Sequence, residues 1–461
     1  MNQMKTVEKS QRENKMGTMP INRLLLSLSI PMMISMFVQG LYNVIDSIFV
    51  SRICEQAFTA VSLAFPLQSL IVSLGVGTGI GVNAVLSKSL GEKEFDKANA
   101  IAMNAIFIAF VEIVIFFIVG LTVVRPFYTS QTDDPVIIEY GVQYLRVICL
   151  CSAGVFLQLT FERLLQATGN TFYAMISQST GAIINMFLDP ILIFGLCGAP
   201  RMGVKGAAVA TVTGQFIAAV IAFTLNMTKN KDIQIDLKHF RPSLPVMKEI
   251  YIVAIPAIAM QSLGSFMTYG MNRILIRFSS TATAVFGMYY KIQSFVFMPV
   301  FGLTHGLVPI VSYNYGAQKR KRLVKTIRLC LIYSVVIMII GMCVFLAIPD
   351  KLCMIFDASD YMLSMGVPAL RIISLHFPLA AFGIILGMVF QALGNSMYSL
   401  IISLCRQIVI LVPLAYLLSL SGNVNYVWFA FPIAELIAFA LNIIFYIRIY
   451  KNVISKIADG E

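Results

Sequence analysis

The chain has 461 residues, 58% of them hydrophobic and only 12% charged, with a mean hydropathy of +0.83. Soluble domains run about half apolar and about a quarter charged, so this composition excludes a water-facing surface of matching size and makes the lipid bilayer the main solvent. The net charge of +12 would suit nucleic acid, but the basic residues lie in short loops between apolar runs, which excludes a basic nucleic-acid-binding domain.

The first 23 residues are polar, and the apolar run that follows has no small-residue cleavage site, so it reads as an uncleaved span. Runs of about 20 apolar residues predict twelve spans, near 24–50, 57–86, 99–124, 136–160, 171–196, 203–226, 247–277, 282–311, 326–348, 361–389, 396–420 and 425–449. This gives a cytoplasmic tail (1–23), a six-helix lobe (24–226), a linker (227–246), a second six-helix lobe (247–449) and a tail (450–461). Glycine and proline interrupt several spans, as in "LGVGTGIGV", "LDPIL" and "AIPAI". Such breaks are tolerated in lipid where neighbouring helices or a cavity satisfy the freed backbone groups.

An even number of spans puts both termini on one side. Of the 34 lysines and arginines, 23 fall on that side, with Arg163 assigned to a loop there, and 7 on the other. The positive-inside rule then makes both termini cytoplasmic in a multi-pass protein of the cell membrane.

The two halves repeat. "GVQYLR" at 141–146 matches "GVPALR" at 366–371, "QATGN" at 166–170 matches "QALGN" at 391–395, and "SIP" at 29–31 matches "AIP" at 254–256. All three pairs keep one offset, the step that carries position 141 to position 366, and a constant offset marks a duplicated six-helix unit. The expected fold is an all-α membrane protein of twelve helices in two bundles, related by a pseudo-two-fold along the membrane normal, with a substrate path between them. Arg146 and Arg371 pair across the repeat and read as structural residues near helix ends.

A charge within a span costs about 2.5–3.5 kcal/mol on insertion scales, so each needs a reason. The first half holds Asp46 in "QGLYNVIDSIFV", Glu112 in "FIAFVEIVIFF" and Asp189 in "NMFLDPILIFG". Gln39, Asn43 and Asp46 share one face of the first span, and Asn185 and Asp189 form an i, i+4 pair on the fifth. Pro190 lacks an N–H and its ring clashes with the carbonyl of Met186, so a bend is expected there, making Pro190 a hinge that bares carbonyl oxygens beside the acids. Carboxylate, amide and carbonyl oxygens suit Na⁺ or a transferable proton, which makes Asp46, Asn185 and Asp189 the candidate ion site. At the repeat offset the three acids face Met271, Ile337 and Leu414, so they are additions to the shared scaffold. Gln39, Tyr42, Asn43, Glu112 and Lys291 are candidates for a substrate cavity, and Glu435 is a further mid-span charge. The eight cysteines show no metal-type spacing and read as apolar packing residues, and no cofactor is expected.

With "YNVIDSIFV", "QATGN", "LDPILIFG" and "GVKGAAVAT" in place on twelve spans, the chain resembles the multidrug and toxic compound extrusion (MATE) family over nearly its whole length. It is most similar to the bacterial and archaeal branch with acids in the N-terminal lobe. The resemblance implies a V-shaped pair of six-helix bundles, working as a monomer, that exports cationic or lipophilic drugs by antiport with H⁺ or Na⁺. It carries ion-site roles to Asp46, Asn185 and Asp189 and adds a threonine of the sixth span, here Thr211. The branch with a glutamate on the seventh span is not matched, because Gln261 stands in "AIAMQSLGSF". The nearest alternative is a lipid-linked oligosaccharide flippase of the same superfamily, which would hold a pyrophosphate on cations such as Lys291. No Ser/His/Asp set, metal cluster or phosphate loop supports an enzyme.

Overall fold

The computed structural model describes residues 14–236, 240–356 and 358–458, so residues 1–13 of the expected N-terminal tail and 459–461 of the C-terminal one lie outside it. Fourteen helices carry the fold: α1 Ile21–Ser51, α2 Glu55–Gly91, α3 Phe95–Thr122, α4 Pro135–Leu150, α5 Ala153–Ala167, α6 Thr171–Phe194, α7 Val204–Lys229, α8 Leu244–Leu275, α9 Ser280–Gly316, α10 Arg320–Ala347, α11 Asp360–Ser374, α12 Phe377–Ala392, α13 Ser396–Ser419 and α14 Ala430–Asn452. Ten apolar segments are long enough to cross a bilayer singly, and the pairs α4–α5 and α11–α12, bent by 44° and 51°, bring the count to twelve. Large apolar side chains such as Phe187, Val220 and Phe266 stand outside every core, as lipid allows and water penalises.

The repeat recurs helix by helix. Shifting α2 and α3 by the repeat offset gives the bounds of α9 and α10, at 37 and 28 residues each. The tight turn of "QATGN" is matched in "QALGN": Gly169 and Gly394 take φ of 79° and 78°, and Asn170 N and Asn395 N each donate to the carbonyl five residues back at 2.7 Å. Glycine is required there because a Cβ would strain the left-handed backbone. Ser87 Oγ donates to Ala167 O at 2.8 Å, and its counterpart Ser312 donates to Ala392 O at 2.9 Å. The breaks after α4 and α11 also correspond, and Arg146 and Arg371 lie exposed shortly before them.

The chain divides into two compact units whose boundaries fall inside helices rather than in the 227–246 linker: Ile34–Ala254, and Met1–Met33 with Ile255–Glu461. The division cuts α1 and α8 beside Pro31 and Pro256, prolines that correspond in the repeat. In the Ile34–Ala254 unit the core gathers Phe116, Tyr128, Tyr144 and Phe156. Tyr128 Oη donates to Ala60 O at 2.8 Å, and a Cβ on Gly141 would stand 2.1 Å from the Tyr128 ring. The other unit has its own core around Phe286, Tyr289, Phe377 and Trp428.

One local expectation is corrected. Arg163 is not in a loop: α5 continues to Ala167, and the buried arginine stem lies over Gly79, where a Cβ would be 2.6 Å from its Cγ. Pro190 lies inside α6, which runs on to Phe194 and closes on Gly195 at φ 76°.

Candidate functional site

The acids are positioned by α1 and α6, each apolar except for one polar stripe. On α1 the stripe is Ser35, Gln39, Tyr42 and Asp46; on α6 it is Gln178, Asn185 and Asp189, at spacings that hold one helical face. The stripes meet. Ser35 Oγ donates to Gln178 Oε1 at 2.5 Å, Gln178 Nε2 donates to Gln39 Oε1 at 2.5 Å, and farther along the carboxyls of Asp46 and Asp189 come within hydrogen-bonding reach of each other. Ser35–Gln178 and Asp46–Asp189 are both separated by 143 residues, so the two helices run parallel in one register.

Around the pair, α7 contributes Thr211, whose Oγ1 accepts from Asn185 Nδ2 at 3.2 Å. Tyr42 lies beside both carboxylates with its hydroxyl toward Thr211. Tyr144 of α4 is a neighbour of Asp46, held by Gln68 Nε2 of α2 at 3.0 Å. Asp189 is fully buried, and Asn185 is 2% exposed.

This shell leaves a deficit of donors. Both oxygens of Asp189, Oδ1 of Asp46 and Oδ1 of Asn185 are buried with no hydrogen-bond partner among the described residues. Two ionised carboxylates can only accept, so neither satisfies the other and their like charges repel. A buried acceptor without a donor costs about 1–3 kcal/mol. The arrangement attracts a small positive species: a proton bridging the carboxyls, or a cation gathered by carboxylate and amide oxygens.

Other expected residues stand apart from this pair. Glu112 is buried between helices on its own, with Thr78 Oγ1 of α2 donating to its Oε1 at 2.7 Å. Asn43 is exposed, and Gln39 joins only through Gln178. Lys291 lies exposed on α9, in the other unit. Glu435 is buried there and paired with Arg406, Nη1 to Oε2 at 3.1 Å, where α13 widens to a π-helical turn at Cys405–Leu411. Sequence reading missed Gln178, although it continues the Asn185–Asp189 stripe one heptad back. It also missed buried Glu162, whose Oε1 accepts from Gln158 Nε2 at 3.0 Å and Ser177 Oγ at 3.2 Å.

A duplicated bundle of membrane-crossing helices, with the facing carboxyls of Asp46 and Asp189 in the first copy and the buried acid of the second, Glu435, paired with Arg406, defines a polytopic membrane transporter rather than an enzyme. The chain belongs to the MatE family, whose pattern matches twice, over residues 31–191 and 256–417. The two matches begin at corresponding positions of the repeat, Pro31 and Pro256. Similar proteins include Multidrug export protein MepA of Staphylococcus haemolyticus, 25% identical over 88% of this chain and 89% of its own. The FAD transporter of Shewanella oneidensis is also 25% identical, over 91% of this chain and 92% of its own. Among solved structures, an outward-facing multidrug resistance MATE family transporter of the MOP superfamily superposes with a TM-score of 0.91 at 24% identity, covering 96% of this chain and 100% of that one. At that identity the likeness establishes the fold.

Proposed function

We propose that the protein exports cationic and lipophilic compounds in exchange for inward-moving H⁺ or Na⁺, and that the Asp46–Asp189 pair takes up the ion. The observation that carries this reading is the facing of two carboxyls whose buried oxygens lack donors. An arriving proton or Na⁺ joins the carboxyls and pulls the α1 and α6 stripes together; its departure sets like charges against each other and favours a different packing of α1. Export follows if the cargo binds better to one packing than to the other, since a ligand shifts such an equilibrium only by its differential affinity. Asn185 and Thr211 orient the pair and add oxygens to a Na⁺ shell. Relatives named as multidrug export proteins support a loosely specified drug cargo.

The reading includes a monomer in the cell membrane, with both termini cytoplasmic on a 22-to-7 distribution of basic residues once the buried Arg163 is set aside. The flippase alternative is less favoured, because the mid-span cation Arg406 is already neutralised by Glu435, which leaves Lys291 to hold a pyrophosphate without it. The test is dye export from proteoliposomes under an imposed pH gradient and, separately, an imposed sodium gradient. One gradient is expected to drive export in the parent, and neither in Asp46→Asn or Asp189→Asn. Parent-like export by both variants overturns the ion role. Export of FAD in place of cationic dyes overturns the cargo class.

A further inference from the structure

The first residues of α10 form a basic stripe. Arg320, Lys321, Lys325 and Arg328 line a cavity of about 670 Å³ whose far wall includes Tyr450 of α14. Arg320 Nη2 donates to Tyr450 Oη at 3.2 Å. Lys321, Lys325 and Arg328 are exposed and have no carboxylate partner among the described residues. Their neighbours Lys319 and Arg322 point elsewhere, onto the carbonyls of Gly17, Met16 and Met19. The cavity continues along the helix into a second of about 530 Å³, almost wholly apolar, lined by Ile332, Val336, Phe382 and Tyr446; Val324, Arg328 and Ile332 belong to both. The result is one furrow between α10 and α14, cationic at the end where Lys319 and Arg322 hold the 16–19 segment and greasy toward the middle of the span.

The repeat says what such a furrow requires. In the first copy the corresponding face of α3 is covered by the chain's own linker: Gln234 N donates to Asn99 Oδ1 at 2.7 Å, Ser243 N donates to Asn104 Oδ1 at 2.9 Å, and Phe240 packs on Phe107 with ring centroids 6.0 Å apart. At the repeat offset Asn99, Asn104 and Phe107 correspond to Val324, Leu329 and Ile332, all three of which line the furrow. The four cations have no basic counterparts there either, since Phe95, Asp96, Ala100 and Met103 stand in their places. The duplicated scaffold therefore covers this face with polypeptide in one copy, and in the other no described residue lies over it in that way and positive charge is added. Arg320 and Lys321 stand in the first turn of α10, where the helix dipole opposes a cation, so a bound anion would relieve them.

We propose that this furrow binds an anionic phospholipid, with its phosphate among Arg320, Lys321, Lys325 and Arg328 and an acyl chain along Ile332, Val336, Phe382 and Tyr446. The dimensions agree: Arg328 to Val336 spans about 12 Å of helix, close to the ~15 Å of hydrocarbon in one leaflet. Basic pockets between helices at the cytoplasmic side are where such headgroups bind.

The test is native mass spectrometry of the full-length protein in detergent with dioleoyl phosphatidylglycerol or dioleoyl phosphatidylcholine. The parent is expected to retain the anionic lipid preferentially. A Lys321→Gln/Lys325→Gln/Arg328→Gln variant should bind it on the order of 100-fold more weakly, from about a fivefold loss per cation near a membrane surface. Val336→Trp, which fills the apolar part with no change of charge, should weaken binding as well, and both variants must elute as monodisperse protein to count. Equal retention of the two lipids by the parent, or undiminished anionic-lipid binding by the triple variant, overturns the proposal. So does displacement of the lipid by millimolar inorganic phosphate alone, which would make the site one for a free anion. A photoreactive side chain at position 332 is expected to capture acyl chain; capture of the protein's own tail or of a second copy overturns the assignment.

Discussion

Replacing Asp189 by Asn should stabilise the protein and abolish ion-driven export together. Asp189 is fully buried and neither of its oxygens has a donor. Asparagine keeps the shape, removes one of two facing charges and turns an orphaned acceptor into a donor aimed at Asp46. A hydrogen bond to a charged group contributes about 1.5–3 kcal/mol, and an unsatisfied buried acceptor costs a similar amount. A net gain of about 2 kcal/mol is the expected size, equivalent to a rise of roughly 4–8 °C for a unit of this length unfolding by itself. The difference should be largest at alkaline pH in sodium-free buffer, where neither a proton nor Na⁺ bridges the parent's carboxylates, and should shrink on acidification. Cys149, buried in the same unit, gives the readout through a thiol-reactive dye, with exposed Cys197 and Cys343 replaced by Ser to lower the background. A variant that melts earlier than the parent under alkaline, sodium-free conditions, or that exports dye at the parent's rate, refutes the reasoning.

Gly206→Ala should lower folded yield, because its Cβ would lie 2.6 Å from Leu192 O, a backbone atom that cannot swing aside; a cost of about 1–3 kcal/mol is expected, read as a drop in thermal midpoint. Glu435→Leu alone should destabilise by up to about 3 kcal/mol, because it leaves Arg406 without its carboxylate, whereas Glu435→Leu with Arg406→Met should recover most of the loss. A double variant no more stable than the single one would show that the pair is not the source.

Much of the fold was legible because lipid simplifies the code. Apolar runs of the right length mark crossings, and the constant offset tied "QATGN" to "QALGN" before any coordinate did. The acids were legible for the same reason: a charge inside an apolar run is conspicuous. What stayed hidden depends on which faces meet. Gln178 looks like an ordinary polar residue until Ser35 and Gln39 are seen on either side of it. Arg163 looks like a loop cation because charge was taken to end the span, whereas the missing side chain at Gly79 makes room for its stem inside the bundle. The bend after α11 is signalled by Pro378 in the first turn of α12, whose ring opposes the carbonyl of Ser374, but the bend after α4 has no proline beside it and nothing in the local sequence announced it. The boundary of the compact units inside α1 and α8 is equally invisible to a method that counts whole helices.

The shared register of α1 and α6 restricts how α1 can respond to an ion. Asp46 sits eleven residues from Ser35, about 16 Å along the axis, yet both rungs belong to one ladder of side chains with a single spacing. A turn of α1 by one residue, about 100°, would unzip every rung at once, so partial adjustment has little to hold it. Under the proposed ion role, a change at the carboxylates would be carried through the two helices to Ser35, about 16 Å away.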